Sequence, residues 1–299
     1  MLTDSGHAGF GNVKGLRYNR RPLIDRTPGG FGVVMLDLIA EPQDALDFSV
    51  DHDVVFVDLC SAEQYAAAHI EGAIHVSPAE LVSGVKPATG KIAPIDRLNA
   101  LFGRLGKTDN THFISYDDEG GGWAGRFVWT CFAVGHRSAS AIDGGLHAWH
   151  AAGLPLTADV PTPASSTVDL TLDTSVIAEK ADVMASLDDV DTVVWDARSA
   201  EEHAGTKVVA ARGGRVPGAI NLDWLLTMDR ERALRTRLDV QEVLNGLGIT
   251  PDKRVITHCQ THHRSGLTWL IGQSLGYDIK AYHGSWSEWG NDPDTPIES

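Results

Sequence analysis

The stretch "RVITHCQTHHRSGLTWLIGQSLG", residues 254–276, combines three segments with different patterns. Residues 254–258 form a short apolar run with β-branched side chains, which predicts a buried strand. The amphipathic segment that begins near Ser265 predicts a helix. A loop of six residues, from Cys259 to Arg264, joins the two. Because a strand followed by a helix is the building unit of parallel sheets, we expect an α/β fold.

The chain contains the same series of segments twice, in the same order. Residues 54–76 resemble 192–222, residues 101–117 resemble 243–259, and residues 143–156 resemble 283–297. A repeat of this length indicates two copies of one domain rather than a solenoid. Each copy alternates short apolar runs with amphipathic segments, so each is predicted to be a central parallel sheet with helices on both faces.

Composition shifts along the chain suggest where the domains begin and end. We assign residues 1–34 to a loose N-terminal extension, 35–156 to the first domain, 157–175 to a linker, and 176–299 to the second domain. The linker is rich in Pro, Ser and Thr. The extension lacks the apolar segment of a secretory signal, and Met35 is a plausible alternative start.

The overall charge and the cysteine content exclude several classes of protein. A net charge of −15 leaves no broad basic face for phosphates, so we expect no nucleic-acid partner. No apolar stretch approaches the length of a membrane span. Three cysteines are a small and odd number, which does not suit a disulfide framework and favours the cytoplasm. Cys60 and Cys131 lie in apolar runs and are predicted to be buried and inert.

Cys259 is the candidate nucleophile because it stands at the carboxyl end of a predicted strand. Ligands of parallel sheets collect at that edge. A loop that leads into a helix can direct several backbone N–H groups toward one point, and the helix dipole adds positive charge there. Such surroundings, with His262, His263 and Arg264 nearby, stabilise a thiolate. A zinc site is the alternative, but the sequence offers no second, separated pair of ligands.

Several motifs resemble those of the two-domain rhodaneses, a family of thiosulfate sulfurtransferases. The loop reads CQTHHR, as in bacterial members. "YAAAHIEGAIHV" resembles the family's N-terminal signature with Glu71 in place of Pro, and "AYHGSWSEW" resembles its C-terminal signature with His283 in place of an acidic residue. "WDARSAEEHAG" and "GGRVPGAINLDW" also fit. The resemblance covers the chain from about residue 36 and implies that only the second domain is catalytic, through a persulfide on its cysteine.

The two copies differ at the positions that would carry the chemistry. Asp117 stands in the register of Cys259, and Cys60 stands in the register of Arg198. The first copy also has no arginine where the second has Arg264. A carboxylate cannot carry a transferable sulfur atom, so we interpret the first domain as a structural partner that walls the cleft. Arg198 is a candidate anion-binding residue, and the alternative is a surface ion pair with Glu201 or Glu202.

We therefore predict a sulfurtransferase that moves sulfur from thiosulfate to a thiophilic acceptor, such as cyanide or a thiol, without a cofactor. Cys259 would be the nucleophile, Arg264 and Arg198 would bind the anionic donor, and the predicted lining residues are Gln260, Thr261, His262 and His263. A group of basic residues in an insertion, namely Lys207, Arg212 and Arg215, would either focus the donor or lie in a solvated loop. Asp196 recurs as Asp58 and is interpreted as structural, and Trp224 walls the pocket by resemblance or packs in the core.

Three alternative functions remain open at this point. A mercaptopyruvate sulfurtransferase usually carries a glycine-rich C-G-S-G loop, although Thr261 stands where mammalian thiosulfate-specific members carry Lys. A persulfide carrier would use the same chemistry on Cys259 and deliver the sulfur to a partner protein. A cysteine phosphatase has a HC-x5-R-S loop, whereas only four residues separate Cys259 from Arg264 here.

Overall fold

The computed structural model describes residues 36–299, so the predicted N-terminal extension and Met35 lie outside the described residues. The two copies of the repeat form two parallel sheets of five strands each, with helices on both faces. This confirms the fold class predicted from the sequence. Counted along the chain within each sheet, the strands lie side by side in the same order in both copies: first, fifth, fourth, second and third.

The first sheet and its helices occupy the first half of the chain. Its strands are β1 (Ile39–Ala40), β2 (Val54–Asp58), β3 (Ile74–His75), β4 (His112–Tyr116) and β5 (Ala139–Ile142). Its helices are α1 (Pro42–Asp51), α2 (Ala62–Ala67), α3 (Ile95–Arg104), α4 (Gly122–Ala133) and α5 (Gly145–Ala151).

The second half repeats this arrangement and adds a short antiparallel hairpin. The strands of its sheet are β6 (Ile177–Ala178), β7 (Thr192–Asp196), β8 (Ile220–Asn221), β11 (Arg254–His258) and β12 (Asp278–Tyr282). The hairpin consists of β9 (Met228–Asp229) and β10 (Arg235–Thr236). The helices are α6 (Lys180–Ser186), α7 (Ala200–His203), α8 (Val240–Gly246), α9 (Arg264–Ser274) and α10 (Ser285–Trp289).

The central strands explain why the two candidate loops take equivalent places. In the second sheet His258 is paired with Asp196, and in the first sheet Tyr116 is paired with Asp58. The residue after each central strand is therefore Cys259 in one domain and Asp117 in the other, as the repeat predicts. Both positions are at the carboxyl edge, where a parallel sheet leaves a crevice.

The two domains meet where helix α4 crosses helix α9, because glycines allow the backbones to touch. A Cβ atom added at Gly125 would lie 2.5 Å from the carbonyl oxygen of Gly266, and one added at Gly266 would lie 2.6 Å from the backbone nitrogen of Arg126. A continuous apolar cluster spans this crossing and includes Trp129 and Trp269. The crossing brings the start of α4, in the first domain, against the loop that carries Cys259.

Further contacts fasten the two halves together. The segment between the domains runs along the first domain, where Ser166 donates its N–H to the Gly103 carbonyl at 2.8 Å. On the other side, the hairpin of the second domain reaches the first through Thr236, whose N–H and hydroxyl donate to Asp143 at 2.7 and 2.9 Å. Among residues 36–299, no helix has both the length and the apolar character needed to cross a bilayer.

Candidate active site

The Cys259 thiol is buried at the end of strand β11, and the backbone around it is held by the start of helix α10. The N–H of Trp286 donates to the Cys259 carbonyl at 3.0 Å, and the N–H of Ser287 donates to the Gln260 carbonyl at 2.9 Å. With these carbonyls engaged on one side, the loop is free to present its N–H groups on the other side.

The N–H groups of the loop form a ring of free donors. Within residues 36–299, none of the backbone N–H groups of residues 260–264 donates a hydrogen bond. His262 adopts a left-handed conformation with φ of 54°, and His263 follows in a right-handed one. Alternation of this kind directs successive N–H groups into one concave space, which binds anions. These two features are those expected of the predicted anion cradle, and anion binding there stays a prediction.

The charge around Cys259 favours its thiolate. Burial on its own raises the pKa of the thiol, but the Arg264 guanidinium, hydrogen bonds from the N–H and hydroxyl of Ser265, and the His263 imidazole outweigh it and lower the pKa to about 7. Cys60 and Cys131 are also buried, and burial raises the pKa of both thiols. Cys259 is the cysteine that is ionised near neutral pH.

Arg264 is fixed beside the thiol by a carboxylate that the sequence reasoning did not identify. Glu202, on helix α7, accepts from the two terminal nitrogens of Arg264 at 2.6 and 3.0 Å. Burial lowers the pKa of Arg264, but Glu202 and the Cys259 sulfur raise it above its usual value. The guanidinium thus bridges Glu202 and the nucleophile.

His263 lies between the two domains. Its ring stacks on Trp123 of the first domain, with ring centroids 4.4 Å apart, and lies 5.6 Å from the ring of Trp224. Its Nε2 pairs with the carboxylate of Glu119, also from the first domain. Burial lowers the pKa of His263, but the Glu119 carboxylate outweighs it and raises the pKa, which favours the positively charged form of this imidazole.

The remaining predicted loop residues have different surroundings. His262 is buried and neutral, because burial and neighbouring Arg126 hold its pKa well below the usual value, and its Nδ1 lies 2.8 Å from the Ser265 hydroxyl. The Thr261 backbone packs on the first domain, where a Cβ added at Gly90 would lie 2.0 Å from the Thr261 carbonyl oxygen. Gln260 donates its Nε2 to the Val209 carbonyl at 3.1 Å, which ties the loop to the neighbouring insertion.

Arg198 is fully buried and is engaged within its own domain. Its Nε and one terminal nitrogen contact the Asp196 carboxylate at 2.6 to 3.1 Å, and that terminal nitrogen also donates to the Gly214 carbonyl at 2.9 Å. The guanidinium lies over the ring of Trp286 at 4.2 Å. The surface ion pair considered from the sequence is wrong, because the partner is the buried Asp196. A role for Arg198 in binding the donor stays a prediction.

The equivalent loop of the first domain has its cradle filled by its own side chain. Asp117 accepts the N–H groups of Glu119, Gly120 and Gly121 at 3.2, 3.1 and 2.8 Å on one oxygen, and that of Ala124 at 2.9 Å on the other. Burial and Glu119 raise the pKa of Asp117 to about 6, so the group is mostly ionised at neutral pH. The same fold therefore supplies a carboxylate to the N–H groups of one loop and, among the described residues, no acceptor to those of the other.

The basic residues of the insertion bind the C-terminal segment of the chain. Arg212 donates to the carbonyls of Trp289 and Thr295 at 3.2 and 2.9 Å, and Arg215 pairs with Glu298. Lys207 is exposed. Arg212 and Arg215 thus support the structure of the domain, a role that differs from both interpretations made from the sequence.

Sequence reasoning missed Glu202, Glu119, Trp123 and Arg126. A signal existed for Glu202, since the first copy carries Gln64 at the corresponding place and also lacks the arginine that Glu202 holds. The other three belong to the copy without a nucleophile, where no pattern of the sequence pointed to the site.

Comparison with known proteins matches both halves of the chain to one family. The family model of the rhodanese-like domain matches residues 41–152 and 179–292. The thiosulfate sulfurtransferase of Pseudomonas aeruginosa is 50% identical over 264 residues, covering 88% of this chain and 97% of that protein. The thiosulfate sulfurtransferase of Azotobacter vinelandii is 47% identical over the same shares. The crystal structure of YnjE superposes with a TM-score of 0.78 at 21% identity, over 88% of this chain and 68% of that one.

Proposed function

Because the chain belongs to the rhodanese-like family, with two copies of its domain, we propose that it is a thiosulfate sulfurtransferase whose nucleophile is Cys259. One observation carries the assignment of the residue. Cys259 is a thiol with a pKa of about 7 inside a ring of free N–H donors, whereas the equivalent ring of the first domain is filled by Asp117. The two curated relatives support thiosulfate as the donor.

In the first half-reaction the Cys259 thiolate attacks the outer sulfur of thiosulfate. A new S–S bond forms to Cys259, the S–S bond of thiosulfate breaks, and sulfite leaves with the electron pair of that bond. The terminal sulfur of the persulfide then occupies the cradle of N–H groups, which are already oriented for an anion. Arg264 and His263, the two charges beside the thiol, would attract the donor and stabilise the anionic sulfur.

In the second half-reaction a thiophilic acceptor removes the sulfur. Cyanide attacks the terminal sulfur, a C–S bond forms, and the electron pair of the broken S–S bond returns to Cys259 as a thiolate. Thiocyanate leaves, and no external oxidant or cofactor enters the balance. A thiol acceptor would take the sulfur by the same displacement, so a persulfide carrier and a mercaptopyruvate sulfurtransferase share this chemistry and differ in their partners.

The roles of the other predicted residues follow from their contacts. Thr261 and His262 contribute backbone N–H groups to the cradle, and Gln260 anchors the loop to the insertion through its contact with Val209. Arg198, which is buried beside Asp196, would bind the anionic donor from that position. We also propose a cytoplasmic location, because all three cysteines are buried and unpaired, as expected in a reducing compartment.

Loop length argues against a phosphatase. With four residues between Cys259 and Arg264, the ring of donors is smaller than in the longer phosphatase loop. A single sulfur atom fits a smaller ring better than a tetrahedral phosphoryl group, whose in-line attack needs more space around the thiolate.

Mass spectrometry of the intact protein tests the proposal directly. Incubation with thiosulfate should add one sulfur atom, cyanide should remove it, and Cys259→Ser should never acquire it. Cys131→Ser is the matched control, because it changes a buried cysteine outside the cradle and should still accept sulfur. Sulfur uptake by the Cys259→Ser protein would disprove the assignment.

The same preparation distinguishes the alternative functions. Turnover with thiosulfate should exceed turnover with mercaptopyruvate, and an aryl phosphate should remain intact. Hydrolysis of the aryl phosphate at a rate comparable to sulfur transfer would favour the phosphatase. Persulfide formation with no turnover to cyanide or small thiols would favour a carrier.

A further inference from the structure

Arg126 of the first domain is a buried cation that has no carboxylate partner in the part of the chain that the structure describes. It lies on helix α4 and is fully buried, yet no acidic side chain among residues 36–299 forms an ion pair with it. The other fully buried arginine, Arg198, is paired with Asp196. A buried charge is costly unless an opposite charge compensates it, so Arg126 requires an explanation that Arg198 does not.

The polar contacts of Arg126 are neutral. One terminal nitrogen donates to the His262 carbonyl at 3.3 Å, and the other donates to the Leu81 carbonyl at 3.0 Å. Nε has no hydrogen-bond partner among the described residues. The guanidinium lies over the ring of Trp129 at 4.6 Å. These contacts satisfy part of the hydrogen-bonding capacity of the group but supply no full negative charge.

Three titratable side chains interact electrostatically with Arg126, namely the imidazoles of His262 and His283 and the thiol of Cys259. Burial, with Arg126 as a further cause, lowers the pKa of both His262 and His283, so these rings are neutral at pH 7. Glu179 contacts His283, but it is also paired with Lys91. Burial lowers the pKa of Arg126 to about 9, and among the described residues the charge that opposes this shift is the Cys259 thiolate.

We propose that Arg126 is the counter-charge of the Cys259 thiolate and of the persulfide formed on it, so that the first domain supplies part of the electrostatic stabilisation of the active site. The carbonyl that Arg126 holds belongs to His262, whose left-handed backbone shapes the cradle. Arg126 therefore acts on the thiol through its contact with the backbone of the loop. It is a supporting residue that does not touch the donor. The inference rests on Cys259 being the reactive thiol.

The test measures ionisation of the Cys259 thiol by the pH dependence of its alkylation with iodoacetamide, located by peptide mass spectrometry. In Arg126→Met the midpoint should rise by about one pH unit, the low end of the effect of a nearby charge. Because the wild-type midpoint lies at about 7, alkylation at pH 7 should slow by about fivefold. Arg126→Lys keeps the charge, so its midpoint should stay near that of the wild type even if its melting temperature falls.

Arg137→Met is the matched control. Arg137 lies just after helix α4 and, like Arg126, has its guanidinium over an aromatic ring, that of Phe132, at 4.7 Å, but its ion-pair partner is Asp173. Its replacement should leave the Cys259 midpoint unchanged. A folded Arg126→Met protein with a wild-type midpoint, or an equal rise in Arg126→Lys, would overturn the proposal and leave Arg126 a packing role.

The alkylation test can be interpreted even if sulfur transfer fails or one variant does not fold. Alkylation needs no sulfur donor, so the test stands if sulfur transfer fails, whereas labelling of a different cysteine would refute the proposed function itself. If Arg126→Met does not fold, Arg126→Gln removes the charge and keeps a donor for the His262 carbonyl. Its Cys259 midpoint should rise by about the same one pH unit, and an unchanged midpoint would reject the inference.

Discussion

Replacing Arg264 with Met should separate the structural role of this arginine from its effect on the thiol. The side chain of Arg264 is 18% exposed and that of its partner Glu202 only 4%. Removing one partner of a buried pair costs about 3–5 kcal/mol, because the remaining charge is left uncompensated. Since Arg264 keeps some contact with solvent, we expect the lower end, a loss of about 3 kcal/mol in the free energy of unfolding.

The same substitution should raise the pKa of the Cys259 thiol. The Arg264 guanidinium is the largest of the influences that lower this pKa to about 7, and burial opposes them. Without Arg264 we expect the pKa to return to at least the unperturbed value of ~8.5. The thiolate fraction at pH 7 would then fall from about one half to about 3%, so kcat/KM at that pH should fall by at least roughly 15-fold.

The double substitution Arg264→Met with Glu202→Gln distinguishes the two effects. A neutral glutamine no longer leaves a buried charge, so unfolding in urea should show that most of the lost stability returns. The alkylation midpoint of Cys259 should stay high, because the cation is still missing. Arg237→Met is the control, since its ion pair with Asp239 is exposed and should contribute 1 kcal/mol or less. An unchanged alkylation midpoint in Arg264→Met, or no recovery in the double variant, would refute this reasoning.

Three further predictions concern pH, the domain crossing and the buried arginine of the second domain. The first half-reaction should slow tenfold for each pH unit below about 7, because the lowered pKa of Cys259 leaves the thiolate populated above that pH and lost below it. Stopped-flow measurements of sulfite release should show this dependence, and a midpoint near pH ~8.5 would contradict it. In thermal unfolding, Gly125→Ala should destabilise the protein by more than about 1 kcal/mol, because the added methyl group meets the backbone of α9 at 2.5 Å. The control Gly246→Ala, whose added methyl group meets no described atom within 4 Å, should be neutral or stabilising by about 0.5–1 kcal/mol. Arg198→Met should cost about 3 kcal/mol, the low end for a buried pair, because the buried Asp196 then loses its guanidinium and keeps the imidazole of His203 at 2.9 Å. A raised KM for thiosulfate in the same variant would support a contact with the donor.

The sequence by itself determined the parts of this protein that depend on local pattern and on the repeat. The apolar run at residues 254–258 becomes strand β11 with the predicted bounds. The equivalence of Asp117 and Cys259 follows from aligning the two copies, and sheet register reproduces it. The strand could be predicted because buried segments have a periodic apolar pattern, and the equivalence could be predicted because the two copies of a duplicated domain keep matching residues at matching positions.

Tertiary structure alone decided which charged side chains surround the thiol. Arg264 pairs with Glu202, 62 residues away, and His263 pairs with Glu119, 144 residues away in the other domain. Arg198 shows the same limit at short range, because its partner Asp196 lies only two residues before it, yet the pair is inside the domain rather than on its surface. A sequence pattern reports how deeply a segment is buried, whereas the partner of a charge depends on which surfaces the folded chain brings together. In this protein those surfaces belong to two domains, and the glycines at their crossing let the first domain place Glu119 and Arg126 against the loop of the second.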